Sequence, residues 1–159
     1  MVNTVGKGCS EVDRAYLAGF LDADGAIMAI IEKHQEKKFD FRIRIIVKIT
    51  QSKKDLLEWF CEKFNLGRIN RNRTTYDWLI RDQQAVYKLL DLLAPYLKVK
   101  KKQAELAQII LKEIKNCGSC NEMIAIARKA DALANLNIRS KNRRKNYSQA
   151  VKEHFSRND

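Results

Sequence analysis

Ser10-Glu11-Val12-Asp13-Arg14-Ala15-Tyr16-Leu17-Ala18-Gly19-Phe20-Leu21-Asp22-Ala23-Asp24-Gly25 reads as a single helix, and its two faces decide the architecture. Ser10 caps the first turn with its hydroxyl, Glu11 and Asp13 stand where the helix dipole favours acids, and Gly25 marks the far end. At about 100° per residue, Leu17, Phe20 and Leu21 fall on one face, while Ala15, Gly19 and Ala23 form a stripe of small residues nearly opposite. Such a helix is suited to being covered twice. The large face fits the core of its own chain, and the small stripe lets a second backbone come close.

After the helix, AIMAIIEKH (residues 26–34) is rich in β-branched residues, QEKK (35–38) is a charged turn, and FDFRIRIIVKIT (39–50) alternates with period two. This pattern predicts a long hairpin. In its second strand Ile43, Ile45, Val47 and Ile49 share one face, and Arg42, Arg44, Ile46 and Lys48 share the other. SKKDLLEWFCEKFNL (52–66) has helical spacing of Leu56, Leu57, Phe60 and Phe64, with Ser52 as its cap and Gly67 as its end. A second, shorter hairpin follows over 67–82, with Ile69, Trp78 and Ile80 inward and Arg68, Asn70, Asn72, Asp77 and Arg81 outward. Helices at about 82–93 and 102–116 flank Pro95; a further helix over 121–136, the basic run 138–146 and a short helix from Ser148 complete the chain. The order is αββαββαα with extra C-terminal helices, an α+β chain.

The 159 residues suffice for one ordinary domain with a real core, so a single domain over 1–159 is expected. Thirty-one Lys and Arg against nineteen Asp and Glu give a formal charge of +12, which favours a polyanion by field and by counterion release. Nucleic acid is the first such partner. No apolar run approaches the roughly twenty residues of a membrane span, and neither a secretory leader nor a lipidation signal is evident. The expected setting is intracellular and off the membrane. Cys117 and Cys120 make one CxxC pair, but the two histidines, His34 and His154, supply no second pair for zinc, so four reduced thiols is the simpler reading.

The run Leu17-Ala18-Gly19-Phe20-Leu21-Asp22-Ala23-Asp24-Gly25 closely resembles the signature of the LAGLIDADG homing endonucleases, differing conservatively at Phe20 and Leu21. Further along, the αββαββ order, the Gln in KITQSKK (48–54) and the segment PYLKVKKKQA (95–104) also look like the single-motif branch of that family. The resemblance covers roughly residues 1–145. It implies the αββαββα LAGLIDADG fold: an antiparallel β-saddle with helices on its other face. The signature occurs once in the chain, so the resemblance implies a homodimer joined along Ala15, Gly19 and Ala23. Its saddle would lie over double-stranded DNA. A strand of about ten residues spans about 33 Å, close to one turn of DNA, which makes the target of two subunits roughly 20 bp and pseudo-palindromic.

By position in the signature, Asp24 matches the family's metal-binding catalytic carboxylate and the carbonyl of Ala23 a neighbouring ligand. Hard oxygen donors suit Mg²⁺, with Mn²⁺ as a substitute. Asp22 matches the structural acid of the motif, with a hydrogen-bonding role near the helix end. Gln51 is implied to orient the attacking water, and Lys100 to offset charge on the phosphorus. One departure is Asp55, where relatives often carry a basic residue; Lys53 or Lys54 would take its place.

For DNA contact the candidates are Arg42, Arg44 and Lys48, with Arg68, Asn70, Asn72, Asp77 and Arg81 from the second hairpin, since Arg suits guanine and Asn adenine. Met28, Ile30 and Ile46 share the predicted face and suit thymine methyls; Glu32, His34 and Lys37 lie further out. Lys98, Lys141, Arg143 and Arg144 suit phosphates, which position the protein without choosing sequence. Two other functions use the same basic surface: an RNA-binding intron maturase of the same fold, and a non-catalytic DNA-binding regulator. Relatives of this branch are often encoded in the introns of algal organelles, so chloroplast and mitochondrion are the implied compartments.

Overall fold

The computed structural model describes residues 5–137 and 147–157. Its elements are α1 (Glu11–Asp24), β1 (Gly25–Lys33), β2 (Phe41–Gln51), α2 (Lys54–Phe64), β3 (Arg68–Asn72), β4 (Thr75–Ile80), α3 (Gln83–Leu93), α4 (Lys101–Asn116), α5 (Cys120–Leu136) and α6 (Tyr147–Ser156). The four strands form one sheet in the order β1-β2-β4-β3. This is the α+β chain that the element order predicts, with the antiparallel sheet that the resemblance implies. The chain divides into two compact units, with β1, β2 and α4 contributing to both.

The first unit contains α1, the start of β1, the end of β2, and everything from α2 to the beginning of α4. Helix α1 begins in a capping box: the Asp13 N–H donates to Ser10 Oγ at 3.1 Å, and the Ser10 N–H donates to Asp13 Oδ2 at 2.9 Å. Leu17, Ala18 and Leu21 are buried, whereas Ala15, Gly19 and Ala23 are exposed. The core beside them is aromatic. Trp78 of β4 stacks on Phe60 of α2, with ring centroids 5.6 Å apart, and its indole N–H donates to the Leu66 carbonyl at 2.9 Å. That bond satisfies the polar atom which burial of a Trp would otherwise strand.

Two details of α2 differ from the expectation drawn from residue type. Its N-cap is Lys53, with no side-chain cap, instead of Ser52. Its end is set by Asn65 in the left-handed region at φ 50, not by Gly67. Asn tolerates that conformation because its short polar side chain bonds locally. Gly67 is required for a different reason. At its φ of +81, a Cβ would lie 2.2 Å from Trp78 Nε1, so the turn into β3 has room only for hydrogen.

The second unit holds the outer part of the β1–β2 hairpin, most of α4, and α5 and α6. The hairpin turn closes with the His34 N–H donating to the Asp40 carbonyl at 2.7 Å, and Asp40 takes φ 59. Helix α6 is started by α5, whose Asp131 carboxylate accepts from the backbone N–H groups of Tyr147 and Ser148. It also reaches the hairpin: His154 Nε2 lies 3.0 Å from Asp40 Oδ2, and its ring meets Phe41 edge-on at 5.1 Å. All four cysteines are free thiols.

Candidate active site and nucleic-acid interface

The C-terminal end of α1 gathers the polar groups of the candidate site. In its last turn the Leu21 carbonyl accepts from the Gly25 N–H, while the later carbonyls, Ala23 among them, lie past the last intrahelical donor, where the helix dipole has its negative end. Asp24 adds a full charge on an exposed side chain, and Gln51 Nε2, at the end of β2, donates to Asp24 Oδ2 at 2.9 Å. The chain leaves this corner along β1 through Gly25. Its φ of −90 is ordinary, but a Cβ there would stand 2.4 Å from Leu21 Cδ1 and 2.7 Å from the Leu21 carbonyl oxygen. Close approach of the strand to the helix therefore requires Gly.

Lys100 reaches the same corner through Asp22. The Asp22 carboxylate accepts from three successive backbone N–H groups, Lys98 at 2.8 Å, Val99 at 3.2 Å and Lys100 at 2.8 Å. In return the Lys100 ammonium donates to the Asp22 backbone carbonyl. A loop that alternates Lys and Val has no propensity to hold one shape, so the carboxylate supplies it. Three amide bonds to a charged acceptor are each stronger than a neutral hydrogen bond. Asp24, Gln51 and Lys100, far apart in the chain, are thereby gathered around the C-terminus of one helix.

Among the described residues no three His, Cys, Asp or Glu side chains gather into a metal-ligating group. What this corner offers a cation is the exposed Asp24 carboxylate and the Ala23 carbonyl, the Leu21 and Asp22 carbonyls already accepting from Gly25 and Lys100. These are hard oxygen donors, which fit Mg²⁺ or Ca²⁺ and not a thiophilic metal.

On β2, Arg42, Arg44 and Lys48 are half-buried and alternate with the buried Ile43, Ile45, Val47 and Ile49. Their neighbours constrain them. Glu32 of β1 binds Arg42 Nη2 at 2.8 Å and Arg44 Nη2 at 3.0 Å. Lys48 Nζ lies 3.6 Å from Asp77 Oδ2, Asn72 Nδ2 donates to the same oxygen at 3.1 Å, and Thr50 Oγ1 donates to Asp77 Oδ1. Strand register explains the cluster: Asp77 lies opposite Thr50 on β2 and opposite Asn70 on β3.

Two residues expected on the outer face are covered. Ile46 is 2% exposed and Asp77 7% exposed, although both keep the expected strand parity. A central strand carries neighbours on both sides, and their long side chains close over a short or apolar one. Asp77 therefore serves here as the acceptor that orders Lys48, Thr50 and Asn72. Thr50 is absent from the candidates that residue type suggests, and the signal for it is its place in the Arg44, Ile46, Lys48 alternation.

The remaining candidates divide by exposure. Arg68, Asn70, Asn72, Arg81, Lys37, Lys53 and Lys98 are exposed; Met28, Ile30 and His34 are half-buried. Lys54 pairs with Glu58 one helical turn on, at 2.5 Å, which leaves Lys53 as the exposed cation beside Gln51 in sequence without an ion pair among the described residues. Lys141, Arg143 and Arg144 lie outside the described residues. Along the stripe on α1, a Cβ added at Gly19 would meet nothing within 4 Å, and Val12 and Tyr16 beside it are 76% and 47% exposed.

The fold, the single signature helix and the acid, amide and ammonium gathered at its end define a class, and comparison with known families gives the same one. Residues 17–112 match the family model described as LAGLIDADG endonuclease, and the chain belongs to that family of DNA endonucleases. It is similar to the DNA endonuclease I-CreI of Chlamydomonas reinhardtii, 30% identical over 127 residues that cover 77% of each chain. The DNA endonuclease I-CvuI of Chlorella vulgaris is 28% identical over 120 residues, 74% of each. A crystal structure of I-CvuI bound to the I-CreI target in the presence of Mg, with the DNA not cleaved, superposes with a TM-score of 0.84 at 26% identity, covering 92% of this chain and 94% of that one.

Proposed function

We propose that this chain acts as a homodimeric homing endonuclease that makes a double-strand break in a pseudo-palindromic DNA target of roughly 20 bp. The observation that carries the reading is the junction at the end of α1, where Gln51 bonds Asp24 and Asp22 holds the Lys100 loop. Asp24 and the Ala23 carbonyl would hold Mg²⁺, which supplies charge stabilisation at the phosphate and a more acidic bound water. Gln51 would orient the attacking water through its side-chain carbonyl, its NH₂ group being on Asp24. Lys100 offsets negative charge gathering on phosphorus.

One junction serves one strand. Cutting two strands needs two copies of Asp24, and the exposed Ala15, Gly19 and Ala23 stripe supplies a surface on which a second α1 can pack. Relatives support the DNA partner: I-CvuI is bound to a DNA target in its crystal structure. An intron relative, the intron-encoded DNA endonuclease aI3 of Saccharomyces cerevisiae, is 30% identical over 91 residues, which supports an intron-encoded origin for this chain as well.

The test is incubation of the full chain with Mg²⁺ and a duplex library that includes the joined exons flanking its gene, followed by sequencing of the cut ends. A unique pair of nicks on opposite strands is the expected result. RNA binding with no Mg²⁺-dependent cutting would support the maturase alternative instead.

A further inference from the structure

Glu32 stands on β1 facing two arginines of β2. Its Oε2 accepts from Arg42 Nη2 at 2.8 Å, and both its oxygens lie 3.0 Å from Arg44 Nη2. Residues two apart on a strand are about 6.6 Å apart and point the same way. Two unscreened guanidinium groups so placed repel each other, and each long side chain would wander among rotamers. One carboxylate between them removes the repulsion and fixes both.

The way they are held matters for DNA. Glu32 engages only the Nη2 group of each guanidinium, and the Nε atoms of both arginines are buried with no hydrogen-bond partner among the described residues. A guanidinium has five donors in a fixed fork. Holding Nη2 from one side leaves Nη1 and the second Nη2 hydrogen at the tip, the end of the fork that a bidentate contact to guanine O6 and N7 uses. The side chains stay reachable: 36% exposed for Arg42, 24% for Arg44 and 39% for Glu32. The carboxyl of Glu32 is held below the ordinary glutamate range, first by the hydrogen bond from Arg42 and then by the charge of Arg44, against a desolvation penalty. It therefore remains an anion at neutral pH and keeps its acceptor role.

We propose that Glu32 is a positioning residue that joins Arg42 and Arg44 into one preformed reader of two neighbouring guanines in each half-site of the DNA target. The inference rests on the reading of the chain as a DNA endonuclease. In this arrangement Glu32 acts through the two arginines, from which both of its oxygens accept, and not on a base directly. The pair of arginines forms a unit, so the two base preferences rise and fall together.

The experiment is selection of a randomised duplex library by the full-length protein with Ca²⁺, followed by sequencing, for wild type, Glu32→Gln, Glu32→Asp, Arg42→Ala and Arg44→Ala. Wild type is expected to prefer guanine at two neighbouring positions of each half-site. Glu32→Gln should lower both preferences together by about ten-fold while the other positions keep theirs. It should also steepen the salt dependence by up to about two counterions per subunit, because two freed cations find phosphates. Glu32→Asp, which retains the charge, should restore part of the selectivity. Each arginine variant tests the coupling without altering Glu32: losing either should weaken the preference at both positions.

Loss of one cytosine preference in Glu32→Gln, with the guanines intact, would make Glu32 a direct base contact and overturn the proposal. So would an unchanged profile in that variant, or arginine variants that each affect one position alone. Failure of the wild type to enrich any sequence would be a different result, overturning the DNA-recognition reading on which the inference rests.

Discussion

Asp22 and Lys100 hold each other through the backbone: the Asp22 carboxylate accepts from the Lys100 N–H at 2.8 Å, and the Lys100 ammonium donates to the Asp22 carbonyl. An acid two residues before Asp24 thus governs where a lysine far along the chain can stand. Asp22→Asn keeps the shape but turns one acceptor into a donor facing an N–H. A loss of about 2 kcal/mol follows from a broken hydrogen bond to a charged group, lowering the melting temperature by roughly 4–8 °C for a chain this size. Single-turnover cleavage on the same duplex should fall along with it, because Lys100 loses its place. A variant with full cleavage and unchanged melting would show that the loop needs no such clamp.

Asp24→Asn separates chemistry from binding. The amide remains able to bond Gln51, so the fold is undisturbed, but the exposed carboxylate at the helix end loses its charge. Cleavage in Mg²⁺ should drop by orders of magnitude, and chelation of the metal from wild type should do the same. Affinity by gel shift in Ca²⁺ should persist. Undiminished cutting by Asp24→Asn would remove the mechanism while leaving the fold intact.

Gly19→Leu addresses assembly. In the single chain a Cβ at Gly19 meets nothing, so a larger side chain is harmless to the monomer's own packing. Within a homodimer it would force the two α1 helices apart. Sedimentation should therefore show a monomer with a near-native circular dichroism spectrum and no double-strand cutting. A dimeric, active Gly19→Leu would place the interface elsewhere.

At the opposite extreme, Gly67→Ala should damage folding and nothing specific to DNA. The backbone there has φ +81, and the new methyl would sit 2.2 Å from a buried Trp78 nitrogen that bonds the Leu66 carbonyl. Left-handed strain and overpacking together cost about 3 kcal/mol. Urea unfolding should show a midpoint well below that of wild type. Equal midpoints would mean the turn relaxes easily.

Much of the fold was legible because local physics wrote it. Helix α1 carries its own cap in Ser10 and Asp13, and β2 declares two faces by alternation, since a strand packed on one side must be apolar at every second position. The ends of α2 were less legible. Ser52 and Gly67 are the residue types that most often begin and end helices, yet Lys53 and Asn65 do so here, because tertiary packing of Trp78 had a prior claim on Gly67. Similarly, strand parity put Ile46 and Asp77 on the correct side, but burial depends on which neighbours lean over a position. Parity carries no information about that.

Taken alone, the sequence determined the order of elements, the signature helix, the basic balance and the identity of Asp24, Gln51 and Lys100 as the residues to examine. The first three are encoded in residue type and short-range spacing, and the last came from the resemblance of the signature, the KITQSKK segment and the PYLKVKKKQA segment to a known family. The tertiary structure alone decided the partnerships: Gln51 on Asp24, the Lys100 loop on Asp22, Asp77 among Lys48, Thr50 and Asn72, and Glu32 between two arginines. Those contacts join residues up to 78 positions apart. A hydrogen bond is decided by distance and angle between two groups in space, which neither residue carries in its local sequence.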